Sequence, residues 1–239
     1  TPPAATWYAA PGGGVSRLTL PGHWYAFVSL PFFQFILLRW YFRLFVWARF
    51  LWQMSRLELQ LVPTHPDGAA GLGFLANIAH HCSLVVIAQG AHVAGILANR
   101  ILFEGGSLTD FKQEIGGMIG FVLTLLLGPL LFFMPGMARV KRKGRRDYGL
   151  LSQRYVREFD DKWVRSGAQP HERLVGSADI QSLADLGNSY ARVRAMRIVP
   201  FSKETVLYLA IMAALPVLPL TLTMFPLEEL LKKLLGVLF

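Results

Sequence analysis

Charge is scarce in this chain and unevenly placed. Asp, Glu, Lys and Arg make up only 16% of its 239 residues, and the stretch Ile115 to Met134, IGGMIGFVLTLLLGPLLFFM, contains none of them. A soluble domain spreads its apolar residues at helical or strand period. Here they fall in runs of roughly the 20 residues that cross a bilayer. With 53% hydrophobic residues and a mean hydropathy of +0.40, the composition is that of an integral membrane protein rather than a soluble domain.

Cysteine is nearly missing as well. Cys82 stands alone, inside an apolar run, which excludes a disulfide framework or a CxxC metal site within one chain and leaves the redox compartment open. The later apolar runs contain no histidine, so one chain cannot bury a bis-His haem. A haem-bearing membrane subunit stays open only through self-association or a Met ligand. Adjacent His80 and His81 point roughly 100° apart on a helix, and no carboxylate lies near them in the run, so a metal site is not expected. GxSxG, Walker A, HExxH and strand-linked GxGxxG motifs are all absent, and no enzyme is expected. The opening TPPAATWYAAPGGG lacks the basic start and apolar core of a signal peptide. The expectation is a chain that is processed or that lacks an N-terminal part.

What remains is a polytopic, all-α transmembrane bundle of about four spans with amphipathic cytoplasmic helices. Residues 1–22 read as an irregular extracytoplasmic segment rich in Pro, Gly and Ala. Three spans follow within 23–136, at about 24–52, 72–102 and 114–134. The first is kinked at Pro31, Thr109 or Asp110 caps the third, and Pro135-Gly136 stops it. A basic loop occupies 137–204, a fourth span 205–225, and an interfacial amphipathic tail 226–239. The formal charge of +9 is concentrated in that loop, since 15 of the 24 Lys and Arg lie between Arg139 and Lys203. Such an excess beside a span marks the cytoplasmic side. It points to anionic membrane lipid as a partner, not to nucleic acid. Two helices are expected in the loop. Asp147 caps one with a Leu151, Tyr155, Phe159, Trp163 stripe, and Ser177 caps another that carries Ile180, Leu183, Leu186, Tyr190, Val193 and Met196 until Pro200 ends it. Ser202 caps the fourth span.

Three strings stand out: LVPTHPDGAAGLGFL at Leu61 to Leu75, DIQSLADLGNSYA at Asp179 to Ala191, and VPFSKETV at Val199 to Val206. On these strings the chain, from about Trp24 to its C-terminus, is similar to an uncharacterised group of proteobacterial multi-pass inner-membrane proteins. The resemblance implies a bacterial cytoplasmic-membrane location and further apolar segments upstream. It brings no activity with it.

Four sets of residues are candidates for function. Asn77, His81, His92 and Asn99 fall on one line of the second span and form a polar stripe, which must meet protein or water because polar groups are costly at membrane depth. It serves either for hydrogen bonding between helices or as the lining of a hydrated path. On the opposite side Gly90, Ala94 and Ala98 allow close contact. Gly116, Gly120, Thr124 and Gly128 recur every four residues as a ridge for helix packing, within the chain or between subunits. Arg39 and Arg43 sit one turn apart in the first span, either as an anion or lipid contact at bilayer depth or as cations that snorkel among Trp40 and Tyr41. Asp179, Gln181, Asp185 and Asn188 mark a helix suited to a protein contact at the cytoplasmic face.

The expected function is a non-catalytic integral membrane subunit or scaffold that packs with partner or identical membrane proteins. The alternative is a channel or transporter along the Asn77, His81, His92, Asn99 face. The charge distribution predicts that a cysteine placed at Gln169 is shielded from an impermeant thiol reagent in intact cells and labelled after permeabilisation. Labelling in intact cells refutes the topology.

Overall fold

A computed structural model describes residues 9–10, 17–165 and 176–224. The fold is all-α apart from a two-residue strand pair, Ala9–Ala10 (β1) with Arg17–Leu18 (β2). Four helical stretches are long and apolar enough to cross a membrane: Leu20–Met54, Ser83–Phe103, Leu108–Arg165 and Lys203–Thr223. The chain divides into two compact units, Thr1–Phe50 and Leu51–Phe239. The tail 226–239 expected to lie in the interface is outside the described residues, as is most of the 1–22 segment.

In the first unit the helix begins earlier than the sequence implies. Thr19 caps α1 (Leu20–Trp24), its hydroxyl accepting from the Gly22 amide at 3.2 Å, with Pro21 near the start where a missing N–H costs nothing. A π turn, Tyr25–Ser29, leads into α2 (Leu30–Met54). Pro31, where the sequence places a kink, lies in the first turn of α2 directly after this π turn. The wide turn directly before it leaves room for a ring that would otherwise press on the carbonyl four residues back. Trp24, Phe27, Phe32, Phe35, Leu38 and Phe42 are exposed around this helix, an all-round apolar surface that suits lipid.

The second unit is organised around α8 (Lys203–Ala214) and the 3-10 stretch Leu215–Met224 that continues it. As expected, Ser202 caps α8, accepting from the Thr205 amide at 3.3 Å. Thr205, Leu209, Ala213 and Val217, spaced by four, are all buried. Against this ridge pack α4 (Ser83–Glu104) and α5 (Lys112–Leu127). The approach to α4 is closest at Gly90, where a β-carbon would lie 2.3 Å from the Ala213 carbonyl oxygen and 3.1 Å from Pro216. Val86, Ala94 and Leu97 fill the same face of α4, and Met118, Val122 and Leu126 the matching face of α5.

The second span is shorter than 72–102. Residues Gly73–Asn77 form a 3-10 turn and α3 (Ile78–His81) a single turn. The helix breaks at Cys82, where the Ser83 hydroxyl donates to the His80 carbonyl at 2.7 Å. The α4–α5 turn is closed by a capping box in which Ser107 is the cap and Asp110 the returning carboxylate, so Thr109 does not cap. Arg100 reaches across the turn to Glu114 at 3.0 Å.

The largest departure concerns the third span. Pro135-Gly136 does not stop it. Pro135 occupies the first turn of α6 (Met134–Phe159), where proline is tolerated, and Asp147 lies inside this helix rather than capping one. Apolar span and basic segment are thus one continuous rod, Leu108–Arg165. Against α6 packs α7 (Ala178–Ala195). Ser177 takes the extended backbone of a cap, but its hydroxyl is buried without a hydrogen bond.

Gly90 provides a test of this packing. Gly90→Ala should lower stability in mild detergent by about 1–3 kcal/mol, the cost of overpacking a close contact. Gly95→Ala, where a β-carbon meets no atom within 4 Å, should be neutral or slightly stabilising through helix propensity. Equal melting temperatures for the two variants would contradict the close α4–α8 approach.

Candidate functional site

The string at Leu61 to Leu75 meets the passage from α7 to α8 at one end of the second unit. Between α2 and α4 the backbone curls sharply, with φ of +64° at Gly68, +58° at Ala70 and +95° at Gly71. Glycine adopts this region freely, whereas Ala70 is held there at a cost. The Asp67 carboxylate supplies the hold. It accepts from the amides of Ala69 at 2.8 Å, Gly71 at 3.2 Å and Gly73 at 2.8 Å, and His65 Nδ1 lies 2.9 Å away. Burial opposes its ionisation, but these amides and His65 outweigh that effect and hold its pKa at about 2.

Arg197 clasps this curl from the far end of the sequence. Its backbone amide donates to Gly68 O at 2.8 Å and its guanidinium to Asp67 O at 2.8 Å, while Lys141 on α6 donates to the Met196 carbonyl. Val193 and Pro63 both press on Gly144, where a β-carbon would come within 2.8 Å of Pro63 and 3.1 Å of Val193. The connection, α6 and the end of α7 are therefore one tied platform.

The other end of α7 is anchored through Asp179. Its carboxylate accepts from Lys162 Nζ at 2.8 Å and Trp163 Nε1 at 3.0 Å, and its carbonyl from Tyr155 at 3.1 Å. Lys162, then Trp163, holds the Asp179 carboxyl below the usual range. Asp179 therefore faces α6 rather than a partner. Of the expected contact residues, Gln181, Asp185 and Asn188 are exposed, and Gln181 bonds Asp185 one turn on, at 3.2 Å. Along α6 and the π-helical turn Asp160–Arg165 that continues it, Tyr155, Phe159 and Trp163 are partly buried as the stripe implies, whereas Leu151 is exposed.

On the side of α6 turned away from Met137, Gly144 and Tyr155 lies a cavity of about 680 Å³. Its wall from α6 comprises Gly136, Arg139, Val140, Arg142, Lys143 and Arg146. The segment after α2 adds Arg56, Glu58 and apolar Leu57, Leu59 and Leu61, with Phe133 at one end. Arg56 stacks over Trp52 at 4.9 Å from the ring centre. Spacing in KRKGRR shows a basic helix face, but only the return of the 55–61 segment makes it concave. That concavity was not legible in the sequence.

Inside the candidate membrane spans, the polar stripe and the glycine ridge face outward. Asn77, His81, His92 and Asn99 are all exposed, opposite the face that packs on α8. Asn77 and His81 precede the break at Cys82, with His81 Nδ1 2.8 Å from the Asn77 carbonyl oxygen, so α4 itself carries only His92 and Asn99 of the four. Gly116, Gly120 and Thr124 are exposed and Gly128 is partly so. A β-carbon at Gly116 or Gly120 would meet no atom within 4 Å. In the first unit Arg39 and Arg43 are exposed, with Arg43 5.4 Å from the Trp40 ring centre. Among the described residues no three His, Cys, Asp or Glu gather where a metal ion could sit.

Comparison with protein-family models, with curated proteins and with solved structures found no match.

The Asp67 tie makes a pH-dependent prediction. Its folded pKa is depressed, so its contribution is present above the ordinary value of 3.8 and is lost as pH falls through about 2. Asp67→Asn should destabilise the unit by about 1–3 kcal/mol at neutral pH, the scale for hydrogen bonds to a charged group. It should also flatten the loss of thermal stability between those two pH values. An Asp67→Asn melting curve with the acid dependence of the parent refutes this role.

Proposed function

We propose that the chain is a non-catalytic integral membrane subunit or scaffold, seated in a bacterial cytoplasmic membrane, that packs against partner membrane proteins or further copies of itself. The observation that carries this reading is the outward-facing stripe on α4. Asn99 is exposed on a helix apolar enough to cross a membrane, on the side away from the packed Val86, Gly90, Ala94 and Leu97. The Asn99 amide turned toward hydrocarbon is unfavourable there, and a neighbouring helix able to hydrogen-bond it relieves the cost.

The ridge on α5 supports the same reading. A run of small side chains allows another helix to approach closely, and among the described residues nothing lies within 4 Å of a β-carbon placed at Gly116 or Gly120. The contrast with Gly90, filled by α8, is what gives this vacancy its meaning. One glycine serves the fold, and the others remain available for assembly. The tied platform supplies rigidity at the basic end and presents Gln181, Asp185 and Asn188 outward, which suits a subunit that holds others in register.

Native mass spectrometry from mild detergent tests this. Gly120→Leu and Asn99→Leu should leave the stability of the isolated chain within about 0.5 kcal/mol of the parent, as for substitutions without internal contacts. Both should weaken assembly, the Asn99 variant by about 0.6–2 kcal/mol, the range for membrane hydrogen bonds. A chain that stays monomeric without co-purifying protein, or variants that assemble like the parent, would falsify the scaffold reading. A pH-dependent flux through liposomes abolished by Asn99→Leu would replace it with the channel.

A further inference from the structure

The cavity on α6 shows a charge arrangement that topology alone does not require. An excess of Lys and Arg on one side of the membrane orients a chain wherever on that side it lies. Here Arg56, Arg139, Arg142, Lys143 and Arg146 converge on a single concave space with Glu58 as the one carboxylate. Farther along the same rod Lys162 pairs with Asp179 at 2.8 Å and Arg165 with Asp160 at 3.5 Å. Among the described residues Arg139, Arg142 and Lys143 have no ion-pair partner, and Arg146 has only its neighbour Asp147 at 3.5 Å. Clustered like charges repel, and the cost is offset when an anion neutralises them.

The shape of the space narrows the class of anion. At about 680 Å³ it is of the size that holds a small-molecule group. Four of its five cations are arginines, whose planar forks match the oxygens of phosphate. The lining combines apolar Phe133, Leu57, Leu59 and Leu61 with the arginines, and Phe133 directly precedes α6, where the apolar span gives way to the basic helix. Such a lining suits a ligand that has both an anionic and an apolar part. Basic pockets at the cytoplasmic edge of a helix bundle are suited to anionic headgroups.

We infer that this cavity is a binding site for a phosphate-bearing anion, with the headgroup of an anionic phospholipid as the source that its half-apolar lining favours. The inference is independent of whether the chain assembles with partners.

The test compares two triple variants of equal charge in the full-length chain. Arg139→Gln, Arg142→Gln and Arg146→Gln empty the cavity. Arg145→Gln, Arg154→Gln and Arg157→Gln remove the same charge from α6 outside it. Both are reconstituted in phosphatidylcholine nanodiscs containing phosphatidylglycerol or diphosphatidylglycerol, and lipid retained on release into mild detergent is counted by native mass spectrometry. A second arm titrates inorganic tripolyphosphate onto the detergent-solubilised protein. The parent and the outside variant should retain anionic lipid alike, and the cavity variant should lose at least tenfold in retention. Saturable binding of tripolyphosphate, lost in the cavity variant without any lipid preference, also supports the site and names a soluble source. Equal losses in both variants reduce the cavity to bulk charge and overturn the proposal, as does failure of the parent to retain either ligand.

Discussion

Asp67 and Arg197 stand 130 positions apart, and the arrangement at the basic end depends on their meeting. The carboxylate gathers three backbone amides and so curls the connection between α2 and α4. That curl turns the carbonyls of Asp67 and Gly68 toward Arg197, which takes both. Arg197 in turn fixes the passage from α7 to α8, from which Lys141 draws a further hydrogen bond. Each of these groups is a backbone donor or acceptor that would need a partner once partly buried, so the cluster satisfies several requirements at once. The price of the conformation is paid at Ala70, the only described non-glycine residue with positive φ.

From this clasp the rest of the unit follows. With the connection held against α6, Pro63 reaches Gly144, and the preceding segment Ser55 to Leu61 is left alongside the opposite side of the rod as a wall of the basic cavity. With the start of α8 fixed, its buried ridge of Thr205, Leu209, Ala213 and Val217 sits between α4 and α5. The two helices therefore spend one face each on α8. Their remaining faces carry the exposed His92 and Asn99 on α4 and the exposed Gly116, Gly120 and Thr124 on α5.

How much of this was legible in the sequence differs by feature. Span number and the Ser202 cap were readable because hydropathy over about 20 residues and an N-cap serine are local signals. The continuity of the third span into α6 was not. Pro-Gly is ordinarily a stop, and only position within the first turn makes Pro135 harmless. Asp179 resembled a surface residue in an acidic, amide-rich helix. Its partners Lys162 and Trp163 come from another helix, and nothing in their spacing foretells the pairing.

The linear sequence by itself determined the apolar runs, the basic segment and the periodicity of their faces, because each arises from residues within a turn or two of one another. Only the tertiary structure decided which faces are used. The stripe at Asn77, His81, His92 and Asn99 and the ridge at Gly116, Gly120, Thr124 and Gly128 have the same period as faces that pack inward. The choice between them rests on Gly90 admitting the backbone of α8, a contact between residues 123 positions apart (Gly90 and Ala213). For helices apolar on every side, hydropathy does not sort one face from another, so close packing of small residues and the pairing of polar groups set the arrangement. Those are properties of two helices together and not of either alone.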